Sequence, residues 1–293
     1  MTKGKAIGLG FLLIWLLCSS GLFGEESTLG PKNGYLIIMG GMHNPEILAK
    51  FDEVLGGRDK PLVFIPTALP DEGLHYAKAW EKGLRDLGFI NITVLHTRDR
   101  RVADSEDFVQ PIREARGVIL GGGRQWRFAD SYLNTRTHKE LWALLERGGV
   151  IIGGSAGATI QGSFLVRGDT KTNTIMIGDH LEGFGFLRNS AIDQHLLKRN
   201  RQHDLIEVIE KYPDLLGIGV DEDAAILVHG DQFEVIGTSY VAIYDSKKLI
   251  PPNGKFYLLA AGDIFDLKTR TAMRPTQTMT PVDRVKKGEW DQK

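Results

Sequence analysis

The chain has 293 residues, 36 of them Lys or Arg and 37 Asp or Glu, for a formal net charge of -1 at pH 7. Such a length can bury one large core, as a single α/β domain or two small ones. The charge balance gives no electrostatic reason to bind nucleic acid or an anionic membrane. The single cysteine, Cys18, excludes a disulfide framework; if it is lost with a leader, thiol catalysis and cysteine-ligated zinc are excluded too.

The N-terminus reads as a targeting segment. Lys3 and Lys5 precede an unbroken apolar run from Ala6 to Leu17, and the small residues Ser19, Ser20 and Gly21 follow. The run is shorter than the roughly 20 residues that span a bilayer. Residues 1–24 are therefore expected to be a cleaved signal peptide, and the protein to be exported, periplasmic or secreted. An uncleaved anchor is the alternative. Lipidation at Cys18 is disfavoured because Leu17 stands where a lipoprotein has a small residue.

Beyond a polar lead-in, short apolar runs alternate with amphipathic stretches. Residues 35–39, 62–65, 92–95, 117–120 and 150–152 predict buried strands, each β-branched or apolar and bounded by Gly or Pro. Residues 45–55, 72–87, 106–115 and 137–147 carry helical spacing. This alternation implies an α/β fold: a doubly wound, mostly parallel sheet with helices on both faces. From about Gly217 the runs 218–220, 225–228, 233–236 and 241–244 are separated only by turn residues, which predicts a C-terminal antiparallel β extension. No linker divides the chain, so residues 33–275 are expected to form one domain, followed by a polar tail over 276–293.

Three segments carry chemistry. In the first, an apolar strand runs into Gly153-Gly154-Ser155-Ala156-Gly157, the G-x-S-x-G pattern of a nucleophile elbow, with a helix-compatible stretch behind it. The N–H groups and dipole of a helix start favour developing negative charge, and Ala156 is the first of these donors. An ordinary Gly-rich βα turn would look the same. In the second, Gly121-Gly122-Gly123 ends a strand and leaves backbone N–H groups of Gly122 and Gly123 unobstructed, which suits an oxyanion hole, a flexible turn or a phosphate loop. A Walker loop would continue to Gly-Lys-Ser/Thr, whereas here Arg124-Gln125 follows. The third is Asp193-Gln194-His195, followed by Lys198, Arg199 and Arg201. A serine nucleophile needs a base with a near-neutral pKa, and His195 is the histidine of eight that ends an apolar run among polar groups. Asp169 or Glu182 could orient it, and Asp221, Glu222 and Asp223 are further acidic candidates.

Together these segments resemble the cyanophycinase-like branch of the serine peptidases, which includes the aspartyl dipeptidases. The resemblance rests on GGGRQ (Gly121 to Gln125), GGSAGA (Gly153 to Ala158), DQHLLKRNR (Asp193 to Arg201) and GIGVDEDAAILV (Gly217 to Val228), collinear from about Tyr35 to Val228. It implies a flavodoxin-like core related to class I glutamine amidotransferases, with Ser155 as nucleophile and His195 as base. Dipeptidase-like spacing points to Asp169 as the orienting acid, while cyanophycinase-like spacing falls nearer Asn173. Gln125, Asp193, Gln194, Arg199 and Arg201 map onto substrate-binding positions. Asp204 departs from the pattern, standing where the family has a third arginine, and is expected to weaken binding of acidic side chains.

The expected partner is a small peptide or isopeptide substrate. No cofactor, metal, nucleic acid or stable membrane span is expected, and a homodimer is left open. Two rival readings stand beside this one. An α/β-hydrolase esterase would share the elbow and use His229 with Asp221 or Asp223, leaving Asp-Gln-His without a role. A non-catalytic exported binding protein would keep the fold without the reaction.

Overall fold

A computed structural model describes Met1 and residues 28–41, 44–248 and 254–274. The expected leader, Cys18 and the tail over 276–293 lie outside the described residues.

The predicted strands form as β1 (Tyr35–Met39), β2 (Leu62–Ile65), β3 (Ile92–Val94), β4 (Gly117–Leu120) and β5 (Val150–Gly154). After them come β6 (Gly162–Phe164), β7 (Leu187–Gln194), β8 (Leu216–Val220), β9 (Ala224–His229), β10 (Gln232–Gly237), β11 (Val241–Tyr244), β12 (Tyr257–Leu259), β13 (Ile264–Asp266) and β14 (Thr271–Met273). Among the described residues, one sheet runs β14-β13-β10-β9-β1-β5-β4-β2-β3. Its β1, β5, β4, β2 and β3 pair in parallel, and β9, β10, β13 and β14 extend the β1 edge antiparallel.

Side chains alternate between the faces of this sheet with the period of two that a strand imposes. Ile37 and Met39 join Ile47, Phe51 and Leu55 of helix Pro45–Leu55 on one face. That helix starts where Asn44 accepts from the Ile47 N–H, with proline in its first turn, and stops at Gly56 with φ 85°. Leu36 and Ile38 face the other side, where helices Glu106–Glu114, Trp126–Tyr132 and Arg136–Glu146 contribute Ile112, Phe128 and Leu144. The doubly wound α/β arrangement with its antiparallel extension is thus present.

The C-terminal strands differ from simple successive hairpins. A second sheet runs β12-β11-β8-β7-β6, so the chain changes sheet between β8 and β9 and again between β10 and β11. Ile192, Ile218 and Ile243 of this sheet pack into the same core as Leu36 and Ile38, while its far face is covered by helix Leu205–Lys211 through Leu205 and Val208. Burying each such side chain is worth about 1.5–3 kcal/mol, which a strand gains equally on either sheet. The consequence for function is spatial. The end of β7 and the turn from β8 to β9 are brought against the carboxyl ends of β1 and β5.

Candidate active site

Ser155 follows directly on β5, whose neighbours are β1 and β4. Its backbone stands at φ 55°, ψ -117°, a conformation most side chains avoid. It is held there by its N–H donating to the Met39 carbonyl at 3.3 Å and its carbonyl accepting from Ala158 and Thr159 at 3.0 and 3.1 Å. The short helix Ala156–Thr159 starts behind it. This is the geometry of a nucleophile elbow.

His195 follows β7 from the second sheet and also sits at positive φ, 53°. Its N–H donates to the Gly40 carbonyl at 3.0 Å, tying the end of β7 to the end of β1. Asp221 fixes the turn after it, accepting from the N–H groups of Leu197 and Lys198 at 2.8 and 3.0 Å and from the Ser239 hydroxyl at 2.7 Å. The imidazole Nε2 lies 3.0 Å from Ser155 Oγ. Its Nδ1 lies 2.6 Å from Glu222 Oε1, in the turn between β8 and β9. A carboxylate only accepts, so Nδ1–H donates to Glu222 and Nε2 is left to accept from the serine hydroxyl. Burial lowers the His195 pKa below its ordinary value of 6.5, and the Arg199 cation lowers it further against the opposing Glu222 carboxylate. The imidazole is therefore mostly neutral at neutral pH.

Gly41 makes this contact possible. A Cβ there would stand 2.6 Å from Glu222 Cγ and 2.9 Å from His195 Nδ1, so only glycine lets the loop after β1 pass behind the pair.

On the other side of Ser155 lies the loop after β4. The Gly121 N–H donates to Ile65 and the Arg124 N–H to Ala68. Among the described residues, the N–H groups of Gly122, Gly123 and Ala156 find no backbone acceptor. A Cβ on Gly122 would lie 3.5 Å from Ser155 Cβ, which places this loop beside Ser155. Gly123 has φ 138° and presses on the Ala68 carbonyl, which a Cβ would meet at 2.2 Å. Trp80, 40% exposed, packs its ring over Gly121 and Gly122 and tilts against Phe64. Nothing in the sequence pattern singled it out.

The remaining sequence candidates divide. Asp169 does not meet the imidazole of His195: its two ring nitrogens face Glu222 and Ser155, and Asp169 Oδ1 accepts from the N–H groups of Lys171 and Thr172 in its own loop. Glu182 forms an isolated bridge with Phe164 and is exposed. Gln125 is buried with its amide donating to the carbonyls of Val166 and Arg167 at 2.7 and 3.0 Å, so that amide braces a loop rather than facing a substrate. Asp193, fully buried, is gripped by Arg167 through both carboxylate oxygens at 2.8 and 2.9 Å. Gln194 accepts from Arg201, which is itself buried. Of the two arginines expected at the site, Arg199 is exposed near His195, and Arg201 turns inward onto Gln194. Asp204 does not stand as a free anion, because Arg167 Nη2 reaches it at 2.5 Å.

His229 is the wrong histidine for an elbow base. It stacks on Tyr35 at the start of β1 and contacts the Gly34 carbonyl. Ser155 follows the pair Met39–Gly154 at the other end of that strand. Four residues at about 3.3 Å each separate the two ends by roughly 13 Å. Asp223 lies exposed, and its carbonyl accepts from Asn44 and Thr238.

Residues 36–236 match the model of peptidase family S51. A cyanophycinase from Geminocystis herdmanii is 29% identical over 265 residues, covering 81% of this chain and 95% of that protein. One from a Nostoc species is 28% identical over 267 residues, covering 83% of this chain and 88% of that protein. The crystal structure of a peptidase from an acI-B1 Actinobacterium superposes with a TM-score of 0.64 over 81% of this chain and 98% of that one. At 23% identity, that likeness speaks to the fold alone.

Proposed function

Because the chain belongs to peptidase family S51, we propose that it hydrolyses a peptide or isopeptide bond through a Ser155–His195–Glu222 relay. The observation that carries this reading is the run of contacts from Ser155 Oγ to His195 Nε2 and from His195 Nδ1 to Glu222, at 3.0 and 2.6 Å.

In this mechanism Ser155 Oγ attacks the scissile carbonyl carbon while its proton passes to His195 Nε2. The imidazolium so formed is stabilised by Glu222 through Nδ1–H. The carbonyl oxygen, now an oxyanion, takes hydrogen bonds from the N–H groups of Gly122, Gly123 and Ala156. His195 then gives its proton to the leaving amine, and water attacks the acyl-serine by the same route in reverse. Arg199, exposed close to His195, offers a fork of donors to a substrate carboxylate. The cyanophycinases among the relatives suggest cyanophycin, or a peptide like it, as a substrate to test. Export with removal of the first 24 or so residues is part of the proposal, on the evidence of the apolar run from Ala6 to Leu17.

The decisive experiment measures hydrolysis of α- and β-aspartyl dipeptides and of cyanophycin by wild type and Ser155→Ala. Loss of kcat by roughly 10³-fold or more with an unchanged melting temperature is expected. A fully active Ser155→Ala enzyme would sink the reading. N-terminal sequencing of the mature protein tests export, and a chain still beginning at Met1 contradicts it.

A further inference from the structure

Arg167 lies outside every motif that marked the site, yet it is the most heavily engaged cation near it. It sits in the loop after β6 at φ 55°, with its side chain 3% exposed. The fork of its guanidinium holds Asp193 through Nε and Nη2 at 2.8 and 2.9 Å. Nη2 also reaches Asp204 at 2.5 Å, and Nη1 donates to the Asn173 carbonyl at 2.9 Å. Its backbone is fixed as well, for its N–H donates to Met176 and its carbonyl accepts from the Gln125 amide. Gln125 closely follows the Gly121–Gly123 loop, and Asp193 precedes His195 by two residues. One residue thus ties the two together: its backbone carbonyl holds Gln125, beside the Gly121–Gly123 loop, and its side chain holds Asp193 on the strand end that leads to His195.

We propose that Arg167 is the positioning residue of this site: its side chain clamps Asp193 and Asp204 while its backbone carbonyl holds Gln125, and so it sets the relation between His195 and the Gly121–Gly123 loop. The inference deepens the peptidase reading and rests on it. A buried carboxylate needs a partner that satisfies both oxygens, and a planar fork does so in one fixed orientation. Lysine would carry the charge on a single flexible point and could not impose that orientation. The clamp also accounts for Asp204. Its charge is taken up by Arg167, so it is a structural counter-ion and does not repel an acidic substrate.

The test uses the full chain with Arg167→Lys and Asp204→Asn, active sites being counted by a fluorophosphonate probe that labels an activated serine. Counting sites separates positioning from simple loss of folded protein. In Arg167→Lys, kcat per labelled site should fall roughly tenfold while KM stays within about threefold, because alignment is lost and binding groups are kept. Asp204→Asn leaves the Asp193 fork in place. It should cost at most about threefold in kcat and leave the ratio of kcat/KM between acidic and neutral dipeptides within about twofold. Wild-type kcat in Arg167→Lys overturns the proposal. So does a preference for acidic dipeptides that rises about tenfold in Asp204→Asn, since the carboxylate would then face the substrate. A wild-type chain that neither takes the probe nor cleaves any peptide would instead refute the peptidase reading itself, and the clamp's role with it.

Discussion

Replacing Glu222 by Gln perturbs one contact and keeps its shape. The carboxylate accepts from His195 Nδ1 at 2.6 Å and is 23% exposed, so the bond is short, charge-assisted and only partly screened. A hydrogen bond to a charged partner is worth about 1.5–3 kcal/mol, which at 1.36 kcal/mol per tenfold is roughly 10- to 150-fold in rate. A second effect adds to this. The Gln amide can donate to Nδ1, which favours the tautomer with the proton on Nε2, facing Ser155 Oγ instead of accepting from it. Loss of an orienting acid in this way has cost about 10⁴-fold in a serine protease triad. The partial exposure of Glu222 argues for less, and a fall in kcat of about 10²- to 10³-fold is expected, with KM little changed. Steady-state kinetics on an aspartyl dipeptide, with circular dichroism to confirm the fold, reads the effect. Asp169→Asn is the matched control and should lose no more than about threefold. The reverse result, an inert Glu222→Gln and a crippled Asp169→Asn, would refute the argument from ring-nitrogen occupancy.

The parallel core was legible because its code is local. β1, β2, β4 and β5 are short apolar runs between breakers, and each was placed to within two residues of its observed ends. The second sheet was not legible. Local pattern shows that residues 216–220 and 224–229 are strands but cannot say which sheet each joins, because pairing depends on partners far away in sequence. The turn over Asp221 to Asp223 therefore looked like a hairpin, whereas it carries the chain from β8 in one sheet to β9 in the other.

That same crossing explains why the sequence pattern pointed to Asp169 while the acid beside His195 Nδ1 is Glu222. Three acids in succession, Asp221, Glu222 and Asp223, were all visible as candidates, but neighbouring side chains point in different directions and only the path of the turn selects among them. Asp221 is turned onto the N–H groups of Leu197 and Lys198, Asp223 is exposed, and Glu222 meets the imidazole. Ser155 and His195 announced themselves through motifs because each needs particular neighbours in sequence. Gly41, Trp80 and Arg167 act only through neighbours in space. The pair Gly40-Gly41 after a strand was the one signal that could have pointed to a close backbone approach.

The remaining tests follow from the same contacts. Gly41→Ala should lower kcat by roughly 10²-fold, since its methyl must displace Glu222 or His195; wild-type kcat would show that the loop simply shifts aside. Trp80→Ala, which strips the exposed wall over Gly121 and Gly122, should raise KM by about tenfold and change kcat less. The pH profile tests the electrostatics. His195 accepts the serine proton only when neutral, so protonation inactivates, and kcat/KM must fall as pH drops through the pKa of the free enzyme. Burial first, and the Arg199 cation second, hold that pKa below 6.5, while Glu222 opposes them. The acid limb of wild type should accordingly lie below pH 6.5, with activity retained at values where an ordinary histidine is already half protonated. Arg199→Gln removes the second of these causes and leaves burial in place, so its acid limb should move upward. Glu222→Gln removes the opposing carboxylate, and whatever activity survives should have its limb moved downward. A limb above pH 6.5 in wild type, or the same direction of shift in both variants, would mean that another group controls the profile and that His195 is not the base.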